Sequence, residues 1–115
     1  MKLSKIKQID LVFGDKMEDR YLPIINTYFK NEFKKTNKNF EFDYINDKNK
    51  ILIELKSRRV KKNQYPDTMV GNNKIKKGFE LMKKGYTIYF LFAFEDYTCY
   101  YLLNKDFNKK WVRIG

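Results

Sequence analysis

Apolar and polar positions alternate with different periods along the chain, and each period predicts an element. In GDKMEDRYLPIINTYFKNEF, residues 14–33, Met17, Tyr21, Leu22, Ile24, Ile25, Tyr28 and Phe29 recur at helical spacing and predict a first helix. Pro23 falls inside it. An interior proline costs about 3 kcal/mol, so the helix either bends there or begins in earnest near Leu22. QIDLVF, residues 8–13, reads as a short extended piece, and KKTNKN, residues 34–39, as a polar loop. Residues 40–46 and 50–57 read as two strands around the turn Asp47-Lys48-Asn49. A basic, irregular connection, SRRVKKNQYPDTMVG, covers 57–71. Residues 72–84 predict a second helix, with Asn72 or Asn73 as its cap, a stripe of Ile75, Phe79 and Met82, and Gly85 as the residue that ends it. YTIYFLFAF, residues 86–94, is apolar throughout, as in a central strand buried on both faces. Glu95-Asp96 turns into a further strand at 97–103, and the tail from Asn104 onward has no clear period.

The order helix, strand, strand, helix, strand, strand gives an α/β fold with a mixed four-stranded sheet flanked by helices. At 115 residues the chain is one domain, 1–115, with 43% apolar residues and 17% aromatics to fill a core. No uncharged apolar stretch approaches the ~18 residues of a membrane span, and the N-terminus is too broken by charge for a secretory leader. With its single cysteine, Cys99, the chain is expected to be intracellular and holds no internal disulfide or thiolate metal cluster. It has no histidine, which excludes histidine acid–base chemistry, histidine-ligated zinc and Ser-His-Asp triads.

The net charge of +11 points to a polyanionic partner. Lysine (21) far outnumbers arginine (4), and asparagine is abundant, so an AT-rich genome accounts for part of that surplus. Clustering argues for more than composition: Lys56, Arg58, Arg59, Lys61 and Lys62 stand close together, and Lys74, Lys76, Lys77, Lys83 and Lys84 follow in the second helix.

Charges inside apolar strands are costly unless paired or used. If the hairpin closes with opposite residues summing to 97, Asp43 lies across from Glu54, and Lys56 shares Glu54's face by the period of two. Like charges opposite each other are destabilising unless a cation joins them. Two close carboxylates, with the Leu55 carbonyl, offer the oxygen donors that Mg²⁺ takes. Lys56 beside them can orient a water or stabilise charge developing on a phosphate.

Asp43 on one hairpin strand and Glu54-Leu55-Lys56 on the next resemble the signature of the PD-(D/E)XK nuclease superfamily, over roughly residues 14–103. Phe42 stands where that signature has a proline. The resemblance implies a restriction-endonuclease-like αβββαβ core. It further implies Mg²⁺ (Mn²⁺ substituting) on Asp43 and Glu54, with Lys56 assisting the attacking water. It adds Glu18, similar to a first-helix glutamate of archaeal Holliday-junction resolvases, as a further catalytic and metal residue. Asp15 to Glu18 also reads as a helix capping box. Tyr-Pro and Thr-Met in YPDTMVG are similar to short phage and viral nucleases. Lys74, in the first turn of the second helix, can face the scissile phosphate.

The expected function is a Mg²⁺-dependent DNA endonuclease, structure-specific or weakly sequence-specific, leaving 5′-phosphate and 3′-hydroxyl ends. Arg58, Arg59, Lys61, Lys62, Lys74 and Lys77 are expected to hold the nucleic-acid backbone. RNA remains open as a substrate. So do a non-catalytic binding module on the same fold and a basic structural or ribosome-associated protein. Tyr97, Tyr100, Tyr101 and Trp111 offer surplus apolar surface, which predicts a homodimer or larger unless the tail covers it.

Overall fold

The computed structural model describes residues 5–58, 72–105 and 111–114, with side chains from Lys16 onward. Two helices and six strands follow in the order α1 (Lys5–Phe29), β1 (Lys34–Lys35), β2 (Tyr44–Asn46), β3 (Ile51–Ser57), α2 (Asn72–Lys83), β4 (Thr87–Ala93), β5 (Thr98–Leu102) and β6 (Val112–Ile114). They form one mixed sheet in that strand order, antiparallel throughout except for the parallel pair β3–β4, which α2 connects. The α/β class is as expected, but the sheet has six strands instead of four. Short edge strands from the polar loop (β1) and from the tail (β6) were not read as strands.

Helix α1 runs through the segment expected to be extended. Ile6, Ile9 and Phe13 also fit a period near 3.6, and six residues are too few to separate that from two. Pro23 sits inside the helix on its exposed side, so the carbonyl it deprives of an intrahelical donor faces water. The helix stops at Phe29, the last residue of the apolar spacing and four short of the end of the segment read as helical. Lys30 takes a left-handed φ of 54°, Asn31 Nδ2 donates to the Phe29 carbonyl at 2.9 Å, and Asn26 Oδ1 accepts from the Phe33 amide at 2.7 Å. At the C-terminal end of α2, the amides of Gly85 and Tyr86 donate to the carbonyls of Met82 (3.0 Å) and Leu81 (3.1 Å). This is the Schellman pairing, and Gly85 takes it at φ 95°, as its place after the helix predicts.

The helices cover opposite faces. Tyr21 and Ile25 of α1 pack with Tyr44, Ile53, Leu55, Leu91 and Ala93. Leu81 of α2 packs with Phe42, Leu52, Ile88, Phe90 and Phe92, and Gly78 lets that helix sit close, since a Cβ there would meet Leu103 Cδ2 at 2.7 Å. The alternation of two in β3 and β4 explains the division, and β4 is buried on both faces, as its unbroken apolar run implies. None of the described helices is long and apolar enough to cross a membrane.

The tail settles the fate of the C-terminal aromatics. Trp111 packs edge-on against Phe92 (5.2 Å) and Tyr101 (4.7 Å), Tyr101 is buried, and Tyr97 lies against the same core. Tyr100 joins Tyr28, Phe29 and Tyr89 in an aromatic cluster under α1, its hydroxyl 3.2 Å from that of Tyr28. Tyr101 is thus buried, while Tyr97, Tyr100 and Trp111 are each partly covered by contacts within the chain.

Candidate active site

The hairpin β2–β3 pairs Tyr44 with Ile53, Ile45 with Leu52 and Asn46 with Ile51, the register in which opposite residues sum to 97. The loop is longer than two residues. Asn46 Oδ1 accepts from the Asn49 amide at 2.7 Å, and Lys50 closes the turn at φ 54°. At Asp43 the ladder changes. The Asp43 amide donates to the Ile53 carbonyl at 3.0 Å, although Tyr44 is already Ile53's register partner. Two consecutive residues thus oppose one, the form of a β-bulge. Side-chain direction agrees: Phe42 lies in the α2-side core and Tyr44 in the α1-side core, which period two alone forbids. The expectation that Asp43 sits directly across from Glu54 is corrected by this bulge. Asp43 turns along the strand edge instead, and its Oδ2 accepts the Leu55 amide at 2.7 Å in place of a ladder partner.

From there the Asp43 carboxyl still meets Glu54. Glu54 is 4% exposed, on the α2 face of β3 between Leu52 and Lys56. Its carboxyl is pushed up to about 8, first by burial, then by the Asp43 charge and by a side-chain hydrogen bond with Asp43, while Lys56 and Lys74 pull it down. Lys56 Nζ and Lys74 Nζ each lie 3.4 Å from the same atom, Glu54 Oε2. Lys74 also donates to the Glu41 carbonyl and lies over the Phe42 ring, 5.2 Å from its centre.

The other expected site residues fall into three groups. Lys77 stands at the rim of the same region, 3.5 Å from Glu80 and 3.9 Å from Glu41. Arg58 continues the β3–β4 ladder through its amide to the Ala93 carbonyl at 2.9 Å, and its guanidinium donates to Ser57 O at 3.0 Å. Arg59, Lys61 and Lys62, with Tyr65, Pro66 and Asp67, lie outside the described residues. Glu18 belongs to the opposite face: its backbone carbonyl accepts the Tyr44 hydroxyl at 2.7 Å. That hydroxyl is pushed far above its ordinary range by burial and then by the charges of Glu18, Asp43 and Asp19. Among the described residues, no three histidine, cysteine or acidic side chains converge as a metal group.

Sequence reasoning assigned Lys74 to a phosphate and missed its contact with Glu54. It also missed Glu41 and Phe42, which hold Lys74 through a carbonyl and a ring face. A backbone oxygen leaves no sequence signal, and the bulge that sets Phe42 beneath the lysine has no period.

Over residues 14–114 the chain matches the family described as "phage putative PDDEXK endonuclease". No curated protein matches it, and no solved structure does. The chain belongs to that phage PD-(D/E)XK endonuclease family.

Proposed function

We propose that, as a member of this family, the protein hydrolyses DNA phosphodiester bonds with the help of a divalent cation. The observation that carries the reading is the contact between two carboxyls, Asp43 and the buried Glu54, with Lys56 on the same strand face. Asp43, Glu54 and the Leu55 carbonyl would hold the ion. The donor set fits a hard cation, because all three are oxygens and the two acids stand close enough to share a proton. The Leu55 carbonyl leaves β3 on the same edge as the amide that binds Asp43. Mg²⁺ or Mn²⁺, when bound, supplies charge neutralisation at the phosphate and eases deprotonation of a water.

The chain's own groups supply the rest. The bulge and the Leu55 amide fix Asp43, so the acid pair is preorganised by backbone. Lys56, half-buried, presents an ammonium within 3.4 Å of Glu54, where it can orient water and stabilise charge on the phosphoryl oxygens. The new bond joins water oxygen to phosphorus. The bond to O3′ breaks in line, and the leaving oxygen takes a proton from solvent, giving 5′-phosphate and 3′-hydroxyl ends. Arg58, Lys74 and Lys77, with Arg59, Lys61 and Lys62, hold the backbone without reading bases, which favours a structure-specific or weakly specific substrate. One chain carries one such site, so a single copy would nick. A second copy would supply the second cut.

The test is incubation of plasmid, linear duplex, single-stranded and four-way-junction DNA with Mg²⁺, Mn²⁺ or chelator. Metal-dependent cleavage that is absent from Asp43→Asn and Glu54→Gln is expected, with DNA binding kept or raised. Binding without cleavage of any of these would favour a non-catalytic module, and RNA in place of DNA would redefine the substrate. Sedimentation with and without DNA reads the number of copies.

A further inference from the structure

Two ammonium groups converge on one carboxylate oxygen, and they are not equivalent. Lys56 is two residues along β3 from Glu54 and is held there by the parallel ladder opposite Phe92. Lys74 comes from a different element, the first turn of α2, and has two further contacts, the Glu41 carbonyl and the face of Phe42. Together the two lysines balance the two acids once the proton that the acids share in the metal-free protein has left. A divalent ion entering between Asp43 and Glu54 would leave the cluster with two surplus positive charges in a half-buried place. One ammonium must then give up Glu54. Lys74 loses least by doing so, because its carbonyl and ring contacts remain.

Resting on the reading of Asp43 and Glu54 as metal ligands, we propose that Lys74 is a displaceable internal counter-ion. It occupies Glu54 when no metal is bound and is released by the metal toward substrate phosphate. The metal-free site is thus held closed by its own lysine, and loading the metal creates a free cation at the phosphate-binding rim. Metal and DNA binding become coupled through one side chain, and by linkage each strengthens the other to the same degree. Lys74 acts here as a positioning residue with two alternative anionic partners.

Mg²⁺ titration calorimetry on the free protein tests this without any cleavage. Lys74→Met keeps the stem over Phe42, and Lys74→Gln keeps polarity. Both are expected to bind Mg²⁺ roughly fivefold or more tightly than wild type, the order of a partly buried ion pair's loss. Lys83→Met, which removes an exposed charge in the last turn of α2, is the baseline and is expected to change Mg²⁺ affinity less than about twofold. Duplex binding measured in chelator and in Ca²⁺ gives the second readout. The gain on adding Ca²⁺ is expected to be clearly smaller in Lys74→Met than in wild type, since only the ion's own charge then acts on the phosphate. Mg²⁺ affinity unchanged or weakened in both Lys74 variants, or a Ca²⁺ gain as large in Lys74→Met as in wild type, overturns the counter-ion role alone. A wild type that takes up no Mg²⁺, or an Asp43→Asn variant that binds it equally well, overturns the metal-site reading and this inference with it.

Discussion

Raising the pH from 5 to 9 should unfold the metal-free protein more easily, and one residue should account for most of the change. The folded state holds the Glu54 proton up to about 8, against 4.5 for the unexcluded side chain. Between those values the folded chain binds more protons than the unfolded one, so stability falls as pH rises. The loss begins near pH 4.5 and is complete above about 8. Each tenfold in proton affinity is worth about 1.4 kcal/mol, which puts the whole loss at about 4–5 kcal/mol. For a chain of this size that is on the order of 15–20 °C in melting temperature. The window is unusually clean because the chain has no histidine, leaving only the α-amino group and Cys99 to titrate nearby. Thermal melts in chelator across pH 5–9 measure it. Glu54→Gln should melt with wild type at pH 5 and well above it at pH 9, and millimolar Mg²⁺ should flatten the wild-type slope. A flat wild-type profile, or the same fall in Glu54→Gln, would refute the argument.

Other expectations follow from single contacts. Lys56→Ala should lose about 10²-fold or more in turnover while still taking up metal by calorimetry, since its ammonium serves developing charge and not the ion. Tyr101→Phe should be neutral or stabilising by about 1–3 kcal/mol in denaturant titrations, because the Tyr101 hydroxyl is buried with no hydrogen-bond partner among the described residues. Gly85→Ala should cost about 1–2 kcal/mol in the same measurement, since φ 95° is strained for any residue with a Cβ.

Legibility differed by element for physical reasons. The central strand was plain because seven consecutive apolar residues, 88–94, have one reading when preceded by a helix-ending glycine and followed by an acidic turn. The hairpin register could be computed because period two and a polar turn leave few alternatives, and β2–β3 keeps the sum of 97. The bulge at Asp43 could not, since it is a local choice of the backbone that lets Phe42 and Tyr44 face opposite cores. β1 escaped because two lysines look like loop; their pairing with Ile45 and Tyr44 is imposed by the neighbouring strand. Lys74 was visible as a basic residue at a helix start, but its meeting with Glu54 depends on how α2 seats on the sheet through Gly78 and Leu81.

The ends of the sheet bear on how the protein survives crowding. Its most amyloid-like segment, residues 86–94, lies at the centre, hydrogen-bonded to β3 on one side and β5 on the other. What it offers to other chains is β1, two residues long and all lysine, and β6, three residues long with exposed Arg113 against the Tyr97 ring. Copies meeting edge to edge at β1 would set lysine against lysine over too few rungs to hold. The described sheet edges therefore offer other chains little to pair with, and the segment most prone to fibril growth is open to them before its flanking strands have closed over it.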